Sequence, residues 1–282
     1  GLTRGLRLGA VTVAADKVST FRGLHVPGRP LLMPNPWDAG TAKLLTSLGF
    51  QALATTSSGH AATLGMLDGS VDRDEALAHA SLIAAAVDVP VSADLENGFA
   101  EDPDAVFATV TGAVGVGLAG CSIEDFTSSS DNPFYDIRLA ADRVAAAVQA
   151  ARTGAGLVLT ARAENFIRGN PDLPDTIARL QAYQEAGADV LYAPGLTDID
   201  DIRSVITSVD RPVNVLVFPG LATVAELAQA GVARISVGGA FSQVALAALA
   251  RAGRELLDHG TYGFLELAAE GRRQAAAAFS TR

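Results

Sequence analysis

Thiols are almost absent from this chain: Cys121 is the single cysteine among 282 residues. One cysteine excludes an internal disulfide framework and any metal centre built from several thiolates. Clustered positive charge is missing as well. The 21 Lys and Arg against 31 Asp and Glu give a formal net charge of −10, and no basic run interrupts that balance, which argues against nucleic acid or an anionic membrane as partner. No apolar run approaches the roughly 20 residues of a membrane-spanning helix. The stretch from Leu6 to Val13 is too short for a signal-type core before Asp16 and Lys17 interrupt it. These absences predict a cytoplasmic protein with no membrane attachment. Residues 1–22 read as an N-terminal arm ahead of the patterned region, which forms a single domain over 23–282.

What the chain does contain is a regular alternation. Continuous apolar or β-branched runs predict strands at Leu31–Asn35, Ala52–Ser57, Val89–Glu96, Gly120–Asp125, Gly156–Glu164, Asp189–Pro194, Val213–Phe218 and Arg234–Gly238. Helical patterns fall between them at 39–48, 72–87, 103–116, 137–152, 173–186, 198–208, 223–230 and 241–258. Gly49, Gly187 and Gly231 follow helical runs, and Pro103 and Pro174 stand where a first turn begins. Strands without polar alternation are covered on both faces, as in parallel sheets. Eight such units predict an α/β fold, a closed (β/α)8 TIM barrel, with an additional C-terminal helix over 262–279.

Catalytic groups of such barrels gather where the strands end. The third strand ends in Asp94-Leu-Glu96, whose carboxylates share a face if the strand continues through them. Two adjacent anions are costly without a cation between them, and Mg²⁺ takes carboxylate oxygens while leaving positions open. Glu124 and Asp125 end the fourth strand, and Arg162 and Glu164 the fifth. A carboxylate-held cation beside an arginine that pairs a substrate carboxylate is a coherent site.

Several motifs occur in order: Asn35-Pro-Trp-Asp38, Thr56-Ser-Ser-Gly-His60, Asp94-Leu-Glu-Asn-Gly-Phe99, Ser122-Ile-Glu-Asp125, Ala161-Arg-Ala-Glu-Asn165, Ala186-Gly-Ala-Asp189 and Gly231-Val-Ala-Arg-Ile-Ser-Val-Gly238. Together they resemble the isocitrate lyase/phosphoenolpyruvate mutase superfamily over about residues 25–260. The resemblance implies a Mg²⁺ (or Mn²⁺) cofactor and a small oxo-acid substrate bound as an enolpyruvate-like species. It implies Asp94 as the direct metal ligand, Glu96 as the second carboxylate, Asp68 acting through metal-bound water, and Glu124 as the acidic group of the fourth strand. Ser58, Gly59 and His60 resemble the turn that holds the pyruvyl unit, Arg162 the carboxylate clamp, and Asn214 a substrate contact. A homo-oligomer, dimer or tetramer, is implied as well.

The chain also departs from that pattern. The lyase branch carries a cysteine-containing basic loop after the fourth strand; here the segment is Phe126-Thr-Ser-Ser-Ser-Asp-Asn-Pro-Phe-Tyr135. Cys121 precedes it, within the strand, and reads as a small buried hydrophobe. Isocitrate lyase activity is therefore not expected. Glu96 replaces the family's aspartate, adding about one C–C bond of about 1.5 Å. The expected activity is Mg²⁺-dependent C–C cleavage or decarboxylation of a 2-oxo or 2-hydroxy acid, with Arg162, Glu124 and His60 as catalytic candidates. The alternatives are C–P chemistry, as a phosphonomutase or phosphonopyruvate-type hydrolase, and a catalytically silent metabolite-binding barrel. His60 reads either as a general acid or as pocket wall, and Trp37 as pocket lining or core. Gly115-Val-Gly-Leu-Ala-Gly120 matches a dinucleotide fingerprint, but a helix precedes it and a strand follows, the reverse of what that motif requires.

Overall fold

The computed structural model describes residues 14–280. Helix α1 (14–23) comes first, and β1 (Leu31–Met33), α2 (Ala39–Ser47) and β2 (Leu53–Ala54) follow. A short helix, α3 (Ser57–Thr63), precedes α4 (Arg73–Ala86) and β3 (Val91–Asp94). The alternation continues through α5 (Pro103–Gly115), β4 (Gly120–Glu124), α6 (Ile137–Ala151), β5 (Val158–Arg162) and α7 (Leu173–Glu185). It ends with β6 (Val190–Tyr192), α8 (Ile199–Ser208), β7 (Val213–Leu216), α9 (Val224–Gln229), β8 (Arg234–Ser236), α10 (Ala240–Arg254) and α11 (Leu265–Ser280), the last two separated by a π turn at Glu255–His259.

The eight strands form one parallel sheet in the order β1-β8-β7-β6-β5-β4-β3-β2. At the β1–β2 seam the Ala54 N–H donates to the Pro34 carbonyl at 3.1 Å and Asn35 Nδ2 to the Thr55 carbonyl at 3.0 Å. The result is the (β/α)8 barrel with its extra C-terminal helix. Its main core lies between strands and helices, and Cys121 is part of it. Burial pushes the Cys121 thiol up to about 12, so it is an inert packing group.

Much of the acidic composition goes into building the helices. Asp38, Asp72, Asp102, Asp136, Asp172 and Asp198 are all N-caps, each accepting from a backbone N–H of the first turn. A carboxylate there satisfies orphan amides and opposes the positive end of the helix dipole.

The end of the barrel where the strands begin is plugged. Val18 and Phe21 of α1 pack on Leu31, Ala52, Ala119, Val158 and Val190. A Cβ at Gly120 would lie 2.6 Å from Phe21 Cε1 and 2.9 Å from the Val158 carbonyl, so the first residue of β4 has to be glycine for that ring to seat. Arg22 of α1 pairs with Asp189, which also takes both Nη atoms of Arg152 at 2.9–3.0 Å. Residues 1–13, most of the segment read as an arm, lie outside the described residues.

Two features differ from the sequence reading. α3 forms where a loop was expected, because Thr56 Oγ1 caps the Gly59 N–H. β3 stops at Asp94, and Glu96 has a left-handed φ of +49°. Strand alternation therefore does not bring Glu96 to Asp94; a turn does, with the Glu96 N–H donating to Asp94 Oδ1 at 3.3 Å.

Candidate active site

A cavity of about 150 Å³ opens where the strands end, lined among others by Ser58, Asp68, Asp94, Arg162, Asn214 and Arg234. That is smaller than the roughly 300–1,000 Å³ of pockets for drug-sized ligands and suits an acid of a few carbons. A second pocket of about 240 Å³ shares Asp68 and Arg162 with it and adds Glu96, Glu124 and Arg168.

Arg162, the last residue of β5, is the hub. Its Nη1 donates to Asp94 Oδ1 at 2.9 Å, its Nη2 reaches Glu124 Oε2 at 3.0 Å and Glu164 Oε1 at 2.8 Å, and its Nε reaches Glu164 Oε1 at 3.1 Å. Arg168 closes the cluster, with Nε 3.1 Å from Glu164 Oε2 and Nη2 3.4 Å from Glu124 Oε1, its guanidinium over the Phe126 ring. Burial opposes the charge on Arg162, but Glu124, Glu164 and Asp94 more than offset this and hold its pKa well above the ordinary value. Burial raises the Glu124 carboxyl; Arg162 opposes the rise, and Glu164 and Asp94 add to it.

The opposite side of Asp94 is short of cations. Among the described residues Asp94 Oδ2 accepts only the Ser57 N–H, at 3.3 Å. Among the described residues the Glu96 carboxylate has neither a hydrogen-bond nor an ion-pair partner, and burial, Asp94 and Asp68 push its pKa up to about 7. Half-buried carboxylates that repel one another in this way form a donor set a divalent cation fits. No three acidic, His or Cys groups among the described residues stand close enough to hold an ion unaided. Mg²⁺ does not need that many, since it commonly binds through one or two carboxylates and keeps several waters.

The other expected residues divide. Ser58 lines the cavity, with Oγ 3.1 Å from Thr56 Oγ1; a Cβ on Gly239 would fall 2.5 Å from that Oγ. Gly59 sits where α3 meets Trp37 and Ser242, a Cβ there lying 2.5 Å from Thr56 Cγ2. Asn214 lines the cavity but is fully buried, donating to Ser236 Oγ at 2.9 Å and accepting from Arg234 Nε at 2.9 Å. Gly59, Trp37 and His60 do not line the cavity. Trp37 offers its carbonyl to His79 Nε2 at 2.8 Å. His60 stacks on His79 with ring centroids 3.6 Å apart. Glu75 Oε1 lies 3.3 Å from His60 Nε2, but out of hydrogen-bond alignment, and neither ring nitrogen has a hydrogen-bond partner. A stacked, enclosed imidazole of this kind packs α3 against α4.

Sequence reasoning passed over Arg168, Tyr192, Ser236 and Arg234. A period-two reading of β8 would have found Arg234 and Ser236, which share the inner face two residues apart. An arginine opening a buried strand was the available signal.

The sequence pattern of the phosphoenolpyruvate phosphomutase family matches residues 21–257. An uncharacterised protein of Mycobacterium tuberculosis is 34% identical over 244 residues, covering 85% of this chain and 89% of that one. The 2-methylisocitrate lyase of Shewanella oneidensis is 30% identical over 224 residues, 75% of each. A crystal structure from Burkholderia cenocepacia J2315, provisionally called a lyase/mutase, is 48% identical and superposes with a TM-score of 0.92 over 95% of this chain and 98% of that one. The named relatives are lyases and a phosphorylmutase. The chain thus belongs to the phosphoenolpyruvate phosphomutase family, within the isocitrate lyase/phosphoenolpyruvate mutase superfamily of enzymes.

Proposed function

We propose that the protein is a Mg²⁺-dependent enzyme that cleaves a C–C bond of, or decarboxylates, a small 2-oxo or 2-hydroxy acid. The observation that carries this reading is Glu96: a partly buried carboxylate without a partner among the described residues, pushed up to about 7 by burial, Asp94 and Asp68, in the pocket that adjoins the cavity at Asp68 and Arg162. Asp94 would hold the metal directly, with Glu96 beside it and Asp68 acting through water. When bound, the cation supplies Lewis-acid stabilisation of the negative charge that develops on an enolate oxygen.

The protein groups supply position. Among the described residues Arg162 Nη1 donates to Asp94 alone, so the guanidinium holds Asp94 and Glu124 and keeps an N–H for a substrate carboxylate. Ser58 Oγ and the α3 backbone border the same space. Glu124 and Glu164 hold the Arg162 plane, which fixes the substrate plane for bond cleavage. The loop from Phe126 to Tyr135 carries no thiol, in keeping with a substrate other than isocitrate.

The assembly proposed with this activity is a homo-oligomer. Val244 and Leu249 on α10 and Leu257 in the π turn are 65%, 71% and 85% exposed, an apolar edge that association would cover. Light scattering should give a mass above one chain. A panel of two- to six-carbon oxo- and hydroxy-acids with Mg²⁺ tests the chemistry: turnover lost on adding a chelator and in Asp94→Ala supports it. No turnover of any member, despite metal-dependent binding, would favour a silent binding protein.

A further inference from the structure

Among the described residues four arginines lie largely covered in or beside the barrel, and the charge of three is met by carboxylates or by backbone carbonyls. Arg162 faces three carboxylates. Arg179 pairs with Asp125 and Asp175. Arg143 is taken up by backbone carbonyls, those of Glu101, Asn97 and Ala100. Arg234 is different. It is 2% exposed, and no carboxylate lies within ion-pair distance of it among the described residues.

All its partners are neutral. Nε donates to Asn214 Oδ1 at 2.9 Å, Nη2 to Thr160 Oγ1 at 3.0 Å, and Nη1 to His25 Nε2 at 3.0 Å. His25 receives that bond as a neutral ring, because its Nδ1 sits 2.7 Å from the Phe21 carbonyl and burial and Arg234 lower its pKa to about 3. Burial likewise lowers Arg234 to about 10. Among the described residues one N–H on Nη1 and one on Nη2 have no partner. A buried cation without an anion is among the costliest arrangements in a protein interior, and this one lines the floor of the cavity.

We propose that Arg234 is an anion-binding group at the cavity floor that receives the carboxylate of a diacid substrate remote from the metal. The inference rests on the reading of the cavity as an oxo-acid site. The spacing agrees with it. Thr160, which Arg234 touches, and Arg162 lie two residues apart on the same face of β5, an offset of about 6.7 Å. A four-carbon diacid, its two carboxylates separated by two carbons, spans that offset once the hydrogen bonds at its ends are included. A diacid so placed meets Asp94 and Arg162 at one end and Arg234 at the other, and its second charge replaces the missing counter-ion.

Arg234→Met gives the most direct test, because it keeps an extended side chain and removes the charge. Calorimetric titrations with Mg²⁺ compare oxalate, a two-carbon probe of the metal end, with malate, a four-carbon diacid. The variant should weaken malate binding at least tenfold and leave oxalate within twofold, and Arg234→Lys should recover part of the loss. Equal loss of both ligands, or loss of neither, would make Arg234 a packing group and overturn the proposal. If oxalate fails to bind the native protein, the oxo-acid reading fails instead. Thermal shift with succinate in chelator at constant ionic strength then tests Arg234 alone: stabilisation of the native protein that is lost in Arg234→Met supports it, and no stabilisation of the native protein, or equal stabilisation of both, refutes it.

Discussion

At the scale of single residues, the site is a contest over one arginine. Arg162 draws Asp94, Glu124 and Glu164 together, so the cation we propose falls to Glu96 and the far oxygen of Asp94. Asp94→Ala should therefore abolish Mg²⁺-dependent ligand binding, measured calorimetrically. Cys121 is the contrasting case. Its thiol is enclosed and held protonated, so Cys121→Ser should leave ligand binding nearly unchanged while costing about 1–3 kcal/mol in stability by denaturant melt for a buried hydroxyl without a partner. Loss of binding in that variant would give the thiol a role the structure does not assign it. Asp94, Glu124 and Arg162 were legible in the sequence because each ends a strand whose position the apolar runs define. His60 was not, because the expected loop folds into α3 and turns the imidazole onto His79.

The element that matters most after the strands is the turn following β3. Arg143, from α6, threads beneath it and donates to the carbonyls of Asn97, Ala100 and Glu101, and its guanidinium lies 4.1 Å over the Tyr135 ring. That clamp explains how Glu96 persists at a positive φ, a conformation that costs a non-glycine residue about 1–3 kcal/mol unless its surroundings enforce it. Arg143→Met should lower stability by about 3 kcal/mol in chemical denaturation, and hydrogen exchange should rise selectively over residues 96–101. Unchanged exchange there would mean the turn holds itself. Strand runs were readable from the pattern of residues, whereas their ends were not: the run read as the third strand reaches Glu96, although the paired register with β4 ends at Asp94 and the backbone turns at Glu96. Helix α1 was missed for another reason. Its Val18 and Phe21 find their partners on β1, β5 and β6, contacts that a local pattern cannot carry. Phe21→Ala should cost about 3–5 kcal/mol, a loss a disordered arm would not show.

For the whole molecule, the buried His25–Arg234 pair links stability to pH. His25 has a folded pKa of about 3 against 6.5 in an ordinary setting. Above pH 6.5 both folded and unfolded chains carry it neutral, and its contribution is fully present. As the pH falls from 6.5 towards 3 the unfolded chain binds a proton that the folded chain refuses, so stability is lost across that window at up to about 1.4 kcal/mol per pH unit. In His25→Gln the slope of unfolding free energy against pH between 4 and 6 should be shallower than in the native protein by about one proton; equal slopes would mean the ring protonates in place. The alternation of eight strands and eight helices made the barrel legible at this scale, since no other closed parallel fold fits it in this length. The sequence could not reveal which charges the barrel leaves uncompensated, because that depends on contacts such as Arg234 with Thr160, 74 residues apart.

The central claim is that Asp94 and Glu96 with Asp68 form a cation site at the mouth of an oxo-acid cavity. Calorimetric titration of oxalate into the native protein tests it most directly, once with Mg²⁺ and once with chelator. The account predicts saturable one-to-one binding with Mg²⁺ and at least a hundredfold weaker binding without it. Oxalate binding that is indifferent to the metal, or absent in both conditions, would contradict the account.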